Sequence, residues 1–154
     1  MKKILISIGL FIILAAGSVI FQSVKQESVK AAQVKIGEAV FRVEIAGNFA
    51  SRAQGLSGRP SLEGDEGMLF IFPAPGTYGF WMQGMRFPLD IIWIRGDRVV
   101  GFAENAPVPT GADPPTFLPP EPVDRVLEIN AGLVAARGIK IGDKIEISGH
   151  DGNF

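Results

Sequence analysis

Cysteine is absent from this 154-residue chain, and histidine occurs only once, as His150 close to the end. Without cysteine there can be no disulfide bond, thiol nucleophile, thiolate metal site or lipoprotein attachment. A single histidine near the terminus also argues against a Ser-His-Asp triad and against a multi-histidine metal site. We therefore expect neither a metal ion nor another cofactor.

A surplus of basic charge is also missing. The chain has 15 Lys and Arg against 16 Asp and Glu, and the counts beyond residue 30 fall to 11 and 15. That larger part is mildly acidic and contains no basic cluster of the kind that binds phosphate backbones. Nucleic acid is therefore not an expected partner.

The first segment, MKKILISIGLFIILAAGSVIFQSV, differs from the rest because residues 4–21 carry no charge. An apolar run of about 20 residues is long enough to cross a bilayer as a helix. Ala15-Ala16-Gly17 is also a candidate signal-peptidase site. Residues 1–24 are thus predicted to be a membrane anchor or a signal segment. The domain would then be anchored outside the cytoplasm, with Lys2 and Lys3 inside, or secreted after cleavage.

The remaining chain is predicted to be a linker at 25–33, one β-rich domain at 34–149 and a flexible tail at 150–154. VFRVEI alternates apolar and polar residues as a half-buried strand does, whereas MLFIF is apolar throughout and predicts a strand buried on both faces. IKIGDKIEI is read as a hairpin. About seven or eight such strands predict a small, barrel-like curved sheet, antiparallel or mixed, in a mostly-β α+β fold.

Two short helices complete the expected fold. Asn48 is placed to cap a helix that runs to Gln54 and ends at Gly55, and Asn130 is placed to cap a second helix that ends near Arg137. Between residues 104 and 122 the chain carries seven of its 11 prolines. We expect this segment to be an extended loop and the most mobile part of the domain.

One carboxylate stands out in GFWMQGMRFPLDIIWI, where Asp90 lies between Leu89 and Ile91. Strand alternation places Asp90 on the same face as Ile92 and Ile94. A buried carboxylate is costly unless it is paired or hydrogen-bonded. We therefore expect an arginine or backbone N–H groups to hold Asp90 at the rim of a pocket, although a carboxylate with a shifted pKa inside the pocket remains an alternative.

Four further residues are candidates for the same pocket. Arg52 in the first helix and Arg59, flanked by glycine and proline, could pair with Asp90 or with an anionic ligand. Trp81 and Met82 could line a groove. Being adjacent in a strand, these two side chains must point to opposite faces.

Several segments together resemble the domain-of-unknown-function 192 family, DUF192. They are RAQGLSGRPSL, EGMLFIF, FWMQGMRFPLDIIWI, VLEINAG and GIKIGDKI, and they span roughly residues 34–147. The residues that fall on the family's pattern are Gly55, Leu56, Arg59, Gly67, Met68, Phe70, Phe80, Trp81, Met82, Leu89 and Asp90. The resemblance implies a compact β domain with two short helices and no established activity. Ser51 stands where many members carry an acidic residue.

These observations lead to a non-catalytic module that binds a small molecule, glycan or peptide near Asp90, Arg59 and Trp81. The alternative is a hydrolase in which Asp90 works with Glu66 or Asp65, since glycosidases use two facing carboxyl groups. A third possibility, an assembly factor for membrane proteins, depends only on the N-terminal segment.

Overall fold

The computed structural model describes residues 31–111 and 113–149, and this part of the chain forms nine strands and two short helices. In chain order they are β1 (Ala31–Ile36), β2 (Ala39–Ala46), α1 (Phe49–Gln54), β3 (Glu66–Gly76), β4 (Phe80–Trp81), β5 (Leu89–Arg95), β6 (Arg98–Ala106), β7 (Thr116–Phe117), β8 (Val123–Asn130), α2 (Leu133–Ala136) and β9 (Ile145–Ser148). The predicted mostly-β class with two short helices is confirmed.

The predicted N-terminal anchor or signal segment and the predicted tail at 150–154 lie outside the described residues. Within the described part, no helix is long and apolar enough to span a bilayer. The first strand begins at Ala31, so residues 31–33, which the sequence assigned to a linker, belong to the sheet.

Seven strands form one mixed sheet in the order β6-β5-β8-β3-β2-β1-β9. Strands β2 and β3 pair in parallel, and the other neighbours pair antiparallel. The sheet curls until the ends of its edge strands, β6 and β9, meet. There the Val99 N–H donates to the Asp143 carbonyl at 3.0 Å, and the Ile145 N–H donates to the Asp97 carbonyl at 2.8 Å. The expected barrel-like curvature is confirmed. The expected hairpin in IKIGDKIEI is wrong, because β9 pairs with β1.

Side chains on the two faces of the sheet form two separate cores. The inner core lies inside the curl, and its buried members include Val34, Phe41, Leu69, Ile92, Leu127, Ile129 and Ile145. The outer core lies on the opposite face of β3, β8 and β5, and its members include Met68, Phe70, Phe80, Met82, Ile91, Trp93 and Val126. Strand β3 contributes to both cores alternately, as its apolar sequence predicts for a strand buried on both faces.

The outer core is covered by α1, by the loop that follows it, and by the two-stranded β4–β7 ribbon. In that ribbon Phe80 is paired with Phe117. The proline-rich segment contributes β7, and it packs so closely on β6 that a Cβ on Gly101 would lie 2.9 Å from Pro120. This segment therefore contains a short strand and a tight packing contact, while its expected mobility stays a prediction.

The helix caps agree with the sequence at α1 and differ at α2. The Asn48 side chain accepts from the Ser51 N–H at 2.8 Å, and Gly55 ends the helix with a φ of 51°. At α2 the N-cap is Gly132. The predicted cap Asn130 instead donates its side-chain amide to the Leu62 carbonyl at 3.0 Å, because its side chain projects from the end of β8 toward the loop before β3.

Candidate functional site

Asp90 lies on the inner face of the sheet and is completely buried. Its Oδ1 accepts from the Asn105 N–H and its Oδ2 accepts from the Val134 N–H, both at 2.8 Å. The sequence predicts that either an arginine or backbone N–H groups hold this carboxylate. The structure shows backbone N–H groups, and no arginine contacts it among the described residues. Asp90 is not among the residues that line the cavity described below.

The two N–H groups are available to Asp90 because regular pairing fails at both places. The β5–β6 register shifts between Leu89 and Ile91, and Asn105 opposite this bulge has a φ of 54°. Val134 is in the first turn of α2, where backbone N–H groups have no partner within the helix. Asp90 thus ties β5, β6 and α2 together at one end of the inner core.

A cavity of about 460 Å³ opens on the other face, between α1, the end of β3 and β4. Aromatic side chains dominate its walls. Phe72 stacks on Tyr78 with ring centroids 3.6 Å apart, and Phe80 meets the edge of Phe70 at 4.9 Å. At its mouth Phe49 and Trp81 are 82% and 60% exposed. The cavity has the volume and apolar lining of a small-molecule site.

Glu128 is the carboxylic side chain that lines this cavity. It is 5% exposed and lies on the outer face, between Met68 of β3 and Ile91 of β5 in the ladder. Burial alone raises the pKa of its carboxyl to about 8, and no hydrogen bond or charge from the described residues offsets that burial. Near neutral pH Glu128 is therefore largely a neutral acid without a protein partner.

Arg52 of α1 also lines the cavity. Its Nη1 donates to the Gly47 carbonyl at 2.7 Å and to the Ile71 carbonyl at 3.0 Å, and its guanidinium carbon lies 5.2 Å from the centre of the Phe72 ring. These contacts fix the side chain through one nitrogen. Its Nε and Nη2 have no hydrogen-bond partner among the described residues.

The other predicted site residues lie elsewhere. Arg59 forms a two-bond ion pair with Glu44, at 2.6 and 2.5 Å, outside the cavity lining. The hydrogen bonding that Arg59 donates to Glu44 raises the pKa of the Arg59 guanidinium and outweighs the lowering effect of burial. Met82 is fully buried in the outer core. Of the five predicted residues, the structure therefore brings only Arg52 and Trp81 to the cavity, and it separates Asp90, Arg59 and Met82 from it.

Asp65 and Glu66, the carboxylates considered as partners of Asp90, lie beside Arg42 instead. Arg42 Nη2 lies 2.9 Å from Asp65 Oδ1 and 3.6 Å from Glu66 Oε1, on partly exposed side chains. Among the residues that the structure describes, no group of three or more His, Cys, Asp or Glu side chains is arranged to hold a metal ion.

Glu128 was not among the site residues predicted from the sequence. The alternation in VLEI places it on the other face of the strand from Leu127 and Ile129, which is typical of a solvent-facing residue. A signal was available in the neighbouring strand. MLFIF predicts a strand buried on both faces, and a strand beside it is covered on both faces too. An acid in such a neighbour is a candidate for burial.

Comparison with known proteins agrees with this architecture. The family model for DUF192, described as "Uncharacterized ACR", matches residues 32–147. The chain belongs to the DUF192 family. Comparison with curated proteins finds no match.

Two solved structures resemble this DUF192 domain. A protein of unknown function from Novosphingobium aromaticivorans DSM 12444 is 40% identical, with a TM-score of 0.66 over 75% of this chain and 83% of its own. A protein from Sinorhizobium meliloti 1021, proposed in its description to be a transcription regulator, is 31% identical, with a TM-score of 0.68 over 78% of this chain and 94% of its own. The fold is therefore shared, while neither description names a ligand.

Proposed function

We propose that this DUF192 domain is a non-catalytic module that binds a small, largely apolar molecule in the cavity beneath α1. One observation carries the proposal: an aromatic cavity of about 460 Å³ contains a buried carboxyl group with no hydrogen-bond partner among the described residues. Because no described protein group hydrogen-bonds this carboxyl, a ligand in the cavity can supply that hydrogen bond.

A small molecule fits the cavity better than a glycan does. Sugars need many polar partners, but two polar side chains of the lining, those of Tyr78 and Ser57, already have partners. The Tyr78 hydroxyl donates to the Ala74 carbonyl at 2.8 Å, and the Ser57 hydroxyl donates to the Gln83 carbonyl at 2.8 Å. The rest of the wall is mainly hydrocarbon and aromatic surface, which favours an apolar ligand body.

The hydrolase alternative receives no support from this geometry. It required two carboxyl groups that face each other across one site. Glu128 is the only carboxylic side chain among the described residues of the cavity lining. The two hydrogen bonds of Asp90 lie on the opposite face of the sheet.

We place this module outside the cytoplasm, either attached to the membrane through residues 4–21 or secreted. The uncharged run after Lys2 and Lys3 supports this location. A role in transcription, suggested by the description of the S. meliloti protein, is less well supported here because the chain beyond residue 30 is mildly acidic. Membrane fractionation of the full chain tests the location, and recovery in the soluble cytosol would refute it.

A matched pair of substitutions on α1 tests the binding proposal. Ala53 lines the cavity, whereas Ala50 is exposed on the same helix outside it. Calorimetric titration with octanol, a neutral apolar probe, should show saturable binding that Ala53→Trp weakens at least about tenfold by filling the mouth. Ala50→Trp should bind as the parent does. Equal binding by the two variants, or no saturable binding by the parent, would refute the proposal.

A further inference from the structure

The geometry points to an amphipathic carboxylate as the ligand, with its apolar body among the cavity aromatics and its carboxylate on the free edge of Arg52. This inference rests on the proposed function and specifies the chemical class of its ligand. It uses three observations: how Arg52 is fixed, which of its donors stay free, and the charge state of Glu128.

Arg52 is positioned before any ligand arrives. Both carbonyl contacts, to Gly47 and Ile71, use the same nitrogen, Nη1. The remaining edge, formed by Nε and Nη2, has two roughly parallel N–H groups with no partner among the described residues. That spacing matches the two oxygens of a carboxylate, so two charge-assisted hydrogen bonds can form together. Because the guanidinium is already held against Phe72, little side-chain freedom is lost on binding.

The charge of the cavity favours an anion. With Glu128 largely neutral near pH 7, Arg52 is the charged side chain of the lining. The other titratable groups on surrounding elements do not change this. They are Tyr78 before β4, Glu66 on β3 beside Arg42 on β2, Asp124 and Arg95 at the far ends of β8 and β5, and the Glu44–Arg59 pair on β2 and the loop before β3. Burial, without any contribution from these charges, sets the pKa of Glu128.

An organic cation fits less well despite the aromatic walls. The face of Phe72 already carries the Arg52 guanidinium at 5.2 Å, so a second cation would be repelled there. A cation paired with Glu128 would also have to remove a proton that burial retains.

Octanoate, octanol and octylamine test the inference because they share one apolar body and differ in charge. In calorimetric titrations near neutral pH, octanoate should bind at least about tenfold more tightly than octanol, and octylamine most weakly. Arg52→Lys keeps the charge and a donor for the two carbonyls but removes the two-pronged edge. It should reduce the preference for octanoate over octanol, whereas Arg137→Lys on the exposed end of α2 should leave the affinities for both unchanged.

Glu128 supplies a second readout. Octanoate affinity should fall as the pH rises through about 8, since an ionised Glu128 places a negative charge in the same cavity. Glu128→Gln should abolish this decline. If octanol binds as tightly as octanoate, or octylamine binds best, the carboxylate inference is wrong although the cavity binds ligands. If none of the three binds, the proposed function fails with it.

Discussion

Asp90 and Glu128 lie on adjacent strands, β5 and β8, and both are almost completely buried, yet they face opposite sides of one sheet. Asp90 accepts hydrogen bonds from two backbone N–H groups in the inner core. Glu128 has no partner among the described residues and faces a cavity beside the outer core. Burial is similar in the two cases, so burial does not distinguish a structural carboxylate from a candidate ligand-binding one. The partners of each carboxyl group make that distinction.

The largest effect is expected from Asp90→Leu. Removing the carboxylate leaves the Asn105 and Val134 N–H groups buried without an acceptor, and each such group costs roughly 1–3 kcal/mol. The free energy of unfolding should fall by about 4 kcal/mol in urea denaturation. Asp113→Leu, at an exposed position, is the control and should change it little. A stable Asp90→Leu domain would mean that the two carboxylates do not differ in structural role.

The second largest effect is expected from Glu128, which should make the free energy of unfolding depend on pH. Its folded-state pKa, about 8, lies above the ordinary value of 4.5, so the folded state holds the proton more tightly than the unfolded state. Its stabilising contribution is full below about pH 4.5 and declines until the pH passes about 8. Between about pH 5 and 8 this loss should reach about 3 kcal/mol.

Glu128→Gln should remove that decline, whereas Glu146→Gln on β9 should retain it. Urea denaturation at several pH values measures both variants and the parent. A parent whose stability stays flat across this range would show that Glu128 has a partner or is hydrated, and its contrast with Asp90 would disappear.

A smaller loss, about 2 kcal/mol, is expected from Asp90→Asn. The amide preserves the shape, but it replaces one charged acceptor with a donor that faces an N–H group. Chemical denaturation of this variant separates the structural role from a functional one. Functional carboxylates are often strained, so an Asp90→Asn domain as stable as the parent would favour a functional role for Asp90.

The smallest effect is expected from Arg59→Gln. The Arg59–Glu44 pair lies on the same side of the sheet as Glu128, but both side chains are about one-third exposed. Solvent screening should limit the loss of stability to at most about 1 kcal/mol. Octanol binding and the pH range of the Glu128 effect should not change. A shift in that pH range would show that the pair acts on the cavity after all.

Much of the fold could be predicted from local sequence patterns. Asn48 and Gly55 delimit α1 because capping depends on neighbouring residues. The alternation around Asp90 correctly placed it with Ile92 and Ile94, because strand geometry fixes which side chains share a face. The partner of β9 could not be predicted in this way, since strand pairing between distant segments leaves no local signal.

The site was predicted less well than the fold. Arg52 and Trp81 were named and line the cavity, while Arg59 and Met82 were named and do not. They were grouped with Asp90 because their residue types suit a ligand pocket, and residue type does not show which face of the sheet a side chain occupies. Asp90 pairs with Ile129, the residue directly after Glu128 in β8, yet it lies on the opposite face of the sheet from the cavity.

The sequence by itself determined the family, the mostly-β class, the first helix and the need for partners at Asp90. These features follow from residue periodicity, caps and the cost of a buried charge, all of which act over a few residues. Tertiary structure alone decided that the outer face at Glu128 would be covered by α1 and β4. The environment of a side chain, and hence its pKa and its chemistry, depends on what packs over it, and distant segments supplied that cover.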